Sequence, residues 1–344
     1  MSAVSKPTAE CRVFLDNFPL PLPTGEPPAQ VLRPAMAAGP APPAPDATLC
    51  KVENVVIPGK AAPGLYPHDL RLLVVRPNND DIVPAVLVFH GGGAIVGAPE
   101  MDFPLLEYLA KAGFACISTD YRLAPESPYP AQFDDAESAW DYLHSAEGSK
   151  RLGVNPEQTI VYGSSAGSWV SFGLTSRLVK RQEKNLPAIV ALDSTLADDR
   201  QIYPRQAEGH PFAKYFVWSV QNSHDANSER FEVLGHFAPV ANITLRTAYV
   251  YGGAEPPIEA APLRSDNPEI DFAGYPPFYI NSCELDSLGD HGIALTNKLL
   301  AAGVSVEFHQ YRGATHAFSS LMPMSNLAQS LYAELVRVFK QALQ

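Results

Sequence analysis

The sequence predicts an α/β protein in which helices cover both faces of a mostly parallel sheet. Short runs rich in Val, Leu and Ile alternate with helical patterns through most of the chain. Pro, Gly and Asn separate these runs, as they do at the ends of strands. The chain has 344 residues, 46% of them hydrophobic and 18% charged, so it is long enough to bury the core that such a sheet requires.

Charge and composition exclude several classes of function. The net charge of -12, without any basic run, would repel a phosphate backbone, so nucleic acid is not an expected partner. The four cysteines lack a C-x-x-C pair, which indicates reduced thiols rather than a zinc site or a disulfide framework. Residues 1–10 contain no signal-like apolar segment, and no apolar run is long enough to span a bilayer. We therefore expect a soluble, cytoplasmic protein with no membrane span.

The first part of the chain, residues 1–48, is rich in proline and alanine. Proline lacks an N–H donor and fixes φ, so this segment is predicted to form an extended arm that lies over another part of the molecule. A short helix is expected around 11–16. A flexible tail is the alternative interpretation.

Strands and helices alternate from Cys50 onward. The predicted strands cover 52–57, 70–75, 85–89, 114–119, 159–162, 188–192, 278–281 and 304–311. The predicted helices cover 101–112, 131–144, a segment from Ser165 to near Lys180, 288–302 and 326–343.

The alternation breaks between 195 and 242, where aromatic residues such as Trp218 stand among polar ones and no strand-like run occurs. A helical pattern covers about 212–221. Such an insertion is a candidate lid, because loops at the carboxyl ends of parallel strands bind ligands. A structural excursion packed on the core is the alternative. The predicted division is an arm at 1–48 that forms part of a cap, a core at 49–194 and 243–344, and a cap insertion at 195–242.

One turn organises the rest of the chain, namely Gly163-Ser164-Ser165-Ala166-Gly167 between a β-branched run and an apolar helical pattern. This Gly-x-Ser-x-Gly layout puts a serine hydroxyl on a strained strand-to-helix bend, which makes Ser165 a candidate nucleophile. The glycines avoid collisions with neighbouring elements, and the following helix points its N–H groups at the serine. Gly and Ser are common turn residues, so the pentapeptide alone also fits a plain strand-to-helix turn.

Two later strand ends contribute the partners that such a nucleophile needs. Asp286 follows the strand at 278–281, and His316 follows the strand at 304–311. The chain order Ser165, Asp286, His316 is the order of the α/β-hydrolase fold. All three residues fall where the carboxyl ends of parallel strands meet.

The neighbouring candidates fit these roles less well. His291 lies inside a predicted helix and His309 inside a predicted strand, so neither occupies a strand-end loop. Asp290 suits the first turn of a helix, where a carboxylate complements the dipole. Glu284 is the other carboxylate near Asp286.

A glycine-rich loop, His90-Gly91-Gly92-Gly93, follows the strand at 85–89. Consecutive glycines let the main chain approach a substrate oxygen with its N–H groups forward, as in an oxyanion hole. A phosphate cradle is the other use of such a loop. Neither G-x-x-x-x-G-K-S/T nor G-x-G-x-x-G is present here.

These stretches together resemble the hormone-sensitive-lipase-like family of α/β-hydrolase esterases, over roughly residues 50–344. The resemblance rests on several motifs that occur in the family's order. They are His90-Gly91-Gly92-Gly93, the stretches 120–126 and 128–131, Gly163-Ser164-Ser165-Ala166-Gly167, and the stretches 275–277, 286–288 and 313–318.

The resemblance implies an α/β-hydrolase fold with a helical cap built from the arm and the insertion. It implies that Ser165 is the nucleophile, Asp286 the acid and His316 the base of a catalytic triad. The Tyr121-Arg122 stretch is, by family analogy, scaffold for the glycine loop, and Asp120 and Arg122 are expected to be structural. The implied oxyanion-hole donors are the N–H groups of Gly92, Gly93 and Ala166.

The chain departs from the family's usual residues near the nucleophile and the glycine loop. Ser164 replaces an aspartate and Ser168 a glycine, Ser287 stands where a proline is common, and Ala94 stands where a bulky aromatic is frequent. Ala94 is expected to enlarge the pocket, and Ser164 removes a negative charge beside the nucleophile. We predict that Ala94, Ser164 and Trp218 line the substrate pocket.

The predicted function is hydrolysis of a carboxylic ester of a small or medium-sized apolar substrate through an acyl-enzyme, without a metal or organic cofactor. A selective amidase, lactonase or acyl-transfer enzyme of specialised metabolism is one alternative, favoured by Ala94 and the aromatic lid. A non-catalytic small-molecule receptor on the same fold is another, but its loss of catalysis normally shows as a missing triad residue. Family members often pair through the sheet edge or the cap, so a homodimer stays open, although no residue here indicates one.

Overall fold

An eight-stranded sheet forms the centre of the computed structural model, which describes residues 8–12, 33, 41–60, 68–197, 250–251, 258–263, 272–286 and 288–344. The strands are β1 (Cys50–Pro58), β2 (Asp69–Pro77), β3 (Val83–Phe89), β4 (Ala115–Thr119), β5 (Val154–Ser164), β6 (Val190–Asp193), β7 (Phe278–Leu285) and β8 (Val306–Thr315). The helices are α1 (Phe103–Lys111), α2 (Ala131–His144), α3 (Ala146–Leu152), α4 (Ala166–Lys180), α5 (Gly289–Ala301), α6 (Phe318–Leu321) and α7 (Asn326–Ala342). Short 3₁₀ helices cover Pro99–Asp102 and Ile258–Ala260.

The strand order confirms the predicted α/β-hydrolase class. The strands lie in the order β1-β2-β4-β3-β5-β6-β7-β8. β2 pairs antiparallel with β1 and β4, whereas every other pair is parallel. Because β5, β6, β7 and β8 are successive neighbours, the residues that follow them meet at one edge of the sheet.

Each face of the sheet buries its own apolar layer. Leu87 and Phe89 of β3 belong to a core cluster shared with α2 and α4, whereas Val86 and Val88 belong to a second cluster shared with α1 and α7. Successive side chains of a strand point to opposite faces, so a strand covered on both sides needs an almost unbroken apolar run. The sequence of β3 meets that requirement.

Two short helices, α3 and α6, and the first part of β5 lie outside the predicted elements. α3 is capped at its start by Ser145, whose side chain accepts a hydrogen bond from the N–H of Gly148, and at its end by Gly153 with φ of 66°. β5 starts at Val154, five residues before the predicted strand, and pairs with β3 across an irregular register. Pro156 and the polar residues around it at 155–158 interrupt the alternation pattern, so this part of β5 is not predicted.

The predicted cap lies mostly outside the described residues. Trp218, the helical pattern at 212–221 and all but 195–197 of the insertion fall there. In the arm, 9–12 are helical, whereas the predicted helix is 11–16, and 13–16 are not described. The N–H of Thr8 donates to the carbonyl of Gly313 at 3.2 Å, which places this part of the arm beside the end of β8.

A membrane-spanning helix would need both length and an apolar composition. No helix in the described ranges combines the two.

Candidate active site

Ser165 lies at the sharp bend between β5 and α4. Its backbone has φ of 53° and ψ of -116°, a strained conformation for a residue with a side chain. A Cβ atom on Gly163 would lie 2.1 Å from the carbonyl oxygen of Gly167, and one on Gly167 would lie 1.8 Å from the carbonyl oxygen of Phe89. Both flanking positions therefore require glycine, because the bend is pressed against its own helix and against β3.

The structure brings the three predicted site residues into one chain of contacts. The Oγ of Ser165 lies 2.8 Å from Nε2 of His316, and Nδ1 of His316 lies 2.8 Å from Oδ2 of Asp286. Asp286 directly follows β7, and His316 directly follows β8. All three side chains are buried, with Ser165 6%, His316 7% and Asp286 1% exposed. The other carboxylate oxygen of Asp286 accepts the N–H of Leu288 at 2.8 Å, which holds the acid in place.

The charge of Asp286 changes the basicity of His316. Burial alone would lower the pKa of His316, but the negative charge of Asp286, the hydrogen bond to it and the charge of Asp193 outweigh burial and raise that pKa above 6.5. The imidazolium form is thus stabilised inside the protein. An imidazole in this position can take a proton from Ser165 and hold it.

The competing residues lie in other contacts. His291, in the first part of α5, accepts the N–H of Ala197 through Nδ1 at 3.3 Å. His309 lies on β8, Asp290 lies in the first turn of α5, and Glu284 accepts the N–H of Gly313 at 2.9 Å. These positions match those predicted for the two histidines and for Asp290.

The glycine loop after β3 packs against the bend that carries Ser165. A Cβ atom on Gly91 would lie 3.3 Å from the carbonyl oxygen of Ser164 and 3.4 Å from Cβ of Ser165. Gly92 and Gly93 have φ of 114° and 68°, in the region that favours glycine. The carbonyl of Gly92 accepts the N–H of Val96 at 3.0 Å, which folds the loop back on itself.

A stacked ring contacts this loop, and the residues on either side of that ring form ion pairs. The hydroxyl of Tyr121 donates to the carbonyl of His90 at 2.7 Å, and the two rings stack with centroids 4.3 Å apart. Arg122 pairs with the fully buried Asp135 at 2.8 Å. Asp120 pairs with Arg71 at 2.8 Å.

Arg33 of the arm makes a further contact, to the residues that follow the glycine loop, which the sequence does not predict. Its Nε donates to the carbonyl of Ile95 and its Nη2 to the carbonyl of Ala124, both at 2.8 Å. The same guanidinium pairs with Glu126 at 2.7 Å. No residue pattern predicts this contact, because Arg33 is an isolated charged residue in a proline-rich segment.

Of the three residues predicted to line the pocket, two are buried and one lies outside the described residues. Ala94 is fully buried with φ of 61°, and its carbonyl accepts the N–H of Ala124 at 2.8 Å. Ser164 is 1% exposed and is the register neighbour of Asp193 on β6. Trp218 lies outside the described residues. The role of these residues in substrate binding stays a prediction.

The four cysteines are all buried and free. Within the ranges that the structure describes, no three His, Cys, Asp or Glu side chains come together in an arrangement that would hold a metal ion.

Comparison with known proteins assigns the family. A model of a family described by the α/β hydrolase fold matches residues 86–320. This match covers the glycine loop, the bend at Ser165 and the late strand ends. The chain belongs to the α/β hydrolase family.

Relatives within the family are named as esterases and related hydrolases. Arylacetamide deacetylase of Oryctolagus cuniculus is 26% identical over 289 residues, which are 72% of this chain and 71% of that protein. Esterase LipI of Mycobacterium tuberculosis is 31% identical over 242 residues, which are 68% of this chain and 65% of that protein. An esterase from Rhizomucor miehei has a similar structure, with a TM-score of 0.79, 21% identity and coverage of 99% of this chain and 98% of that one.

The relatives confirm the resemblance to a family of esterases, and the structural neighbour confirms the fold. The chain is a hydrolase of the carboxylesterase type.

Proposed function

We propose that this α/β hydrolase cleaves a carboxylic ester of a small or medium-sized apolar substrate through an acyl-enzyme on Ser165. One observation carries the proposal, the unbroken contact from the Oγ of Ser165 through His316 to Asp286, with 2.8 Å at each step. A hydroxyl is a weak nucleophile until an adjacent base accepts its proton. The contact between this hydroxyl and the buried imidazole supports His316 as that base.

The reaction proceeds in two halves. Oγ of Ser165 attacks the ester carbonyl carbon while Nε2 of His316 takes its proton, and the C–O bond to the alcohol then breaks as Nε2 protonates the leaving oxygen. Water, deprotonated by the same nitrogen, attacks the acyl carbon, and Ser165 regains its proton as the acid leaves. Asp286 orients the ring through Nδ1 and stabilises its positive form in both halves.

The negative oxygen of each tetrahedral intermediate needs donors that are already in place. We assign this role to the N–H groups of Gly92, Gly93 and Ala166. The positive φ values of the two glycines and the packing of the loop against Ser165 support this assignment. Ala166 is the first residue of α4, where the helix dipole favours negative charge.

An amide is the second candidate substrate. One relative is named arylacetamide deacetylase, and the same contacts could serve cleavage of an amide. Amides have a poorer leaving group than esters, so cleavage of an amide would depend more strongly on protonation of the leaving nitrogen by His316.

Hydrolysis of p-nitrophenyl acetate, compared with p-nitroacetanilide, tests the proposal. We expect the parent protein to cleave the ester faster than the amide, and Ser165→Ala to lose at least about 10³-fold in kcat while keeping its fold. Ser176→Ala is the matched control, because Ser176 lies on the same helix and its Oγ donates to the carbonyl of Phe172. Faster cleavage of the amide would select the second candidate, and parent-like turnover by Ser165→Ala would contradict the proposal.

A further inference from the structure

A second buried carboxylate lies between the strands that carry Ser165 and Asp286. Asp193 is the last residue of β6, which lies between β5 and β7, and it is fully buried. Its Oδ2 accepts the hydroxyls of Ser319 at 2.6 Å and Tyr162 at 3.0 Å, and its Oδ1 accepts the hydroxyl of Ser194 at 3.1 Å. In the described part of the chain, the side chains bonded to this carboxylate are hydroxyls rather than cations.

These bonds connect Asp193 to both sides of the Ser165–His316 contact. The N–H of Ser165 donates to the main-chain carbonyl of Asp193 at 2.8 Å. On the other side, the Oγ of Ser194 accepts the N–H of Ala317, the residue after His316, at 3.2 Å. Ser319 lies in α6, which begins two residues after His316. One carboxylate therefore holds the loop that carries the imidazole, and its own backbone holds the bend that carries the nucleophile.

Resting on the function proposed above, we propose that Asp193 is a positioning residue that holds His316 against Ser165 and adds a second negative charge to stabilise the imidazolium of acyl transfer. A buried carboxylate without a cation is costly, so a neutral residue that makes the same bonds would stabilise the fold more. A negative charge on Asp193 would stabilise the imidazolium form of His316, which forms and is consumed during each half of the reaction. Asp286 provides the direct contact, and Asp193 acts from the neighbouring strand.

The effect of the Asp193 charge on His316 can be measured apart from the other titratable groups around them. Burial raises the pKa values of Tyr162, Tyr279, Tyr311, Tyr332 and Cys283, so these groups are neutral around pH 7. The acids on the elements around the pair are Asp286 after β7, Glu284 on β7 and Asp102 before α1. Burial raises the pKa of Asp102 to about 7, so this carboxyl group can change its charge near pH 7 and needs its own control.

The test compares Asp193→Asn with Asp102→Asn, using p-nitrophenyl acetate and the full chain. Asn keeps the size of Asp193 but removes its charge, so we expect kcat to fall about 10-fold at unchanged KM. The midpoint of the acidic limb of kcat/KM should also move to lower pH, because a less stabilised imidazolium loses its proton more readily. Asp102→Asn should stay within about twofold of the parent with its midpoint in place, because the Oδ1 that asparagine keeps can still accept the hydroxyl of Ser320.

A milder pair of changes separates position from charge. Ser194→Ala with Ser319→Ala keeps the carboxylate but removes two of its bonds to the His316 loop. We expect a lower kcat with the midpoint of the acidic limb unmoved. This double variant also decides the positioning role if Asp193→Asn does not fold.

Three results would overturn the proposal. They are parent-like kcat in the double variant, a lower kcat in Asp193→Asn without a moved midpoint, and a moved midpoint in Asp102→Asn that equals that of Asp193→Asn. Two other results would contradict the proposed function itself. They are the absence of ester hydrolysis by the parent protein and parent-like hydrolysis by Ser165→Ala.

Discussion

The hydroxyl of Ser165 lies 2.8 Å from Nε2 of His316, although 151 residues separate the two along the chain. The two residues follow β5 and β8, which do not pair with each other, since β6 and β7 lie between them. The contact therefore depends on the pairing of four parallel strands and on the lengths of the loops that follow them. Changes to any of these parts are expected to act on the reaction through this distance.

Replacement of Asp286 tests the orientation of the ring. Asp286→Asn keeps the volume of the side chain but removes the charge that favours the imidazolium, and its amide can select the wrong tautomer of His316. We expect kcat for p-nitrophenyl acetate to fall about 10²- to 10⁴-fold with little change in KM. Asp290→Asn, in the first turn of α5, is the control and should stay near the parent value. Equal losses in both variants would contradict the assignment of Asp286.

The pH dependence tests the protonation state of His316. Only the neutral ring can take the proton of Ser165, so kcat/KM should rise with pH as the ring loses its own proton. Because Asp286 and Asp193 outweigh the effect of burial and raise the pKa of His316, the midpoint is expected above 6.5. His309→Asn, at an exposed position of β8, should leave the midpoint unchanged. A midpoint below 6.5 in the parent would contradict this account.

Replacement of Gly167 tests the packing of the bend. A Cβ atom there would lie 1.8 Å from the carbonyl oxygen of Phe89, so either β3 or α4 must move. We expect Gly167→Ala to lower the free energy of unfolding by roughly 3 kcal/mol and to remove most activity. Gly303→Ala is the control, because it has φ of 81° but no atom within 4 Å of its Cβ position, and backbone strain alone should cost about 1 kcal/mol. Equal urea midpoints for the two variants would show that the bend is not tightly packed.

Replacement of Arg33 tests the contact between the arm and the glycine loop. Arg33→Ala removes two bonds to main-chain carbonyls together with the ion pair, and we expect a looser loop to lower kcat about 10-fold with a small fall in the unfolding temperature. Glu126→Gln removes the ion pair but keeps those two bonds. Its side chain is 63% exposed, so this pair should contribute little, and kcat should stay within about twofold. An effect of Glu126→Gln as large as that of Arg33→Ala would assign the effect to the ion pair instead.

Sequence patterns predict the helices that are long enough to show a helical period and the strands that form an apolar run. The helix predicted over 131–144 has the same bounds in the structure, and the last helix differs by one residue. α3 escapes because seven residues are too short for a helical period, although Ser145 and Gly153 are the capping residues that mark its ends. The position of each strand in the sheet is a matter of long-range pairing, which no local pattern contains.

The predicted site residues lie together because each occupies a strand end, a position that can be read from the chain order. Asp193 stands at such an end too, directly after the predicted strand over 188–192, and the same reasoning would have found it. It was missed because no motif surrounds it. Arg33 could not be found in this way, since its partners Ile95 and Ala124 lie far along the chain and offer only main-chain carbonyls.

The most direct test of the central claim is the location of the covalent adduct left by a fluorophosphonate, read by peptide mass spectrometry. We predict one adduct per chain, on Ser165, that forms much more slowly in His316→Ala and is absent in Ser165→Ala. An adduct on another residue, or modification of Ser165 at the parent rate in His316→Ala, would contradict the claim that His316 activates Ser165.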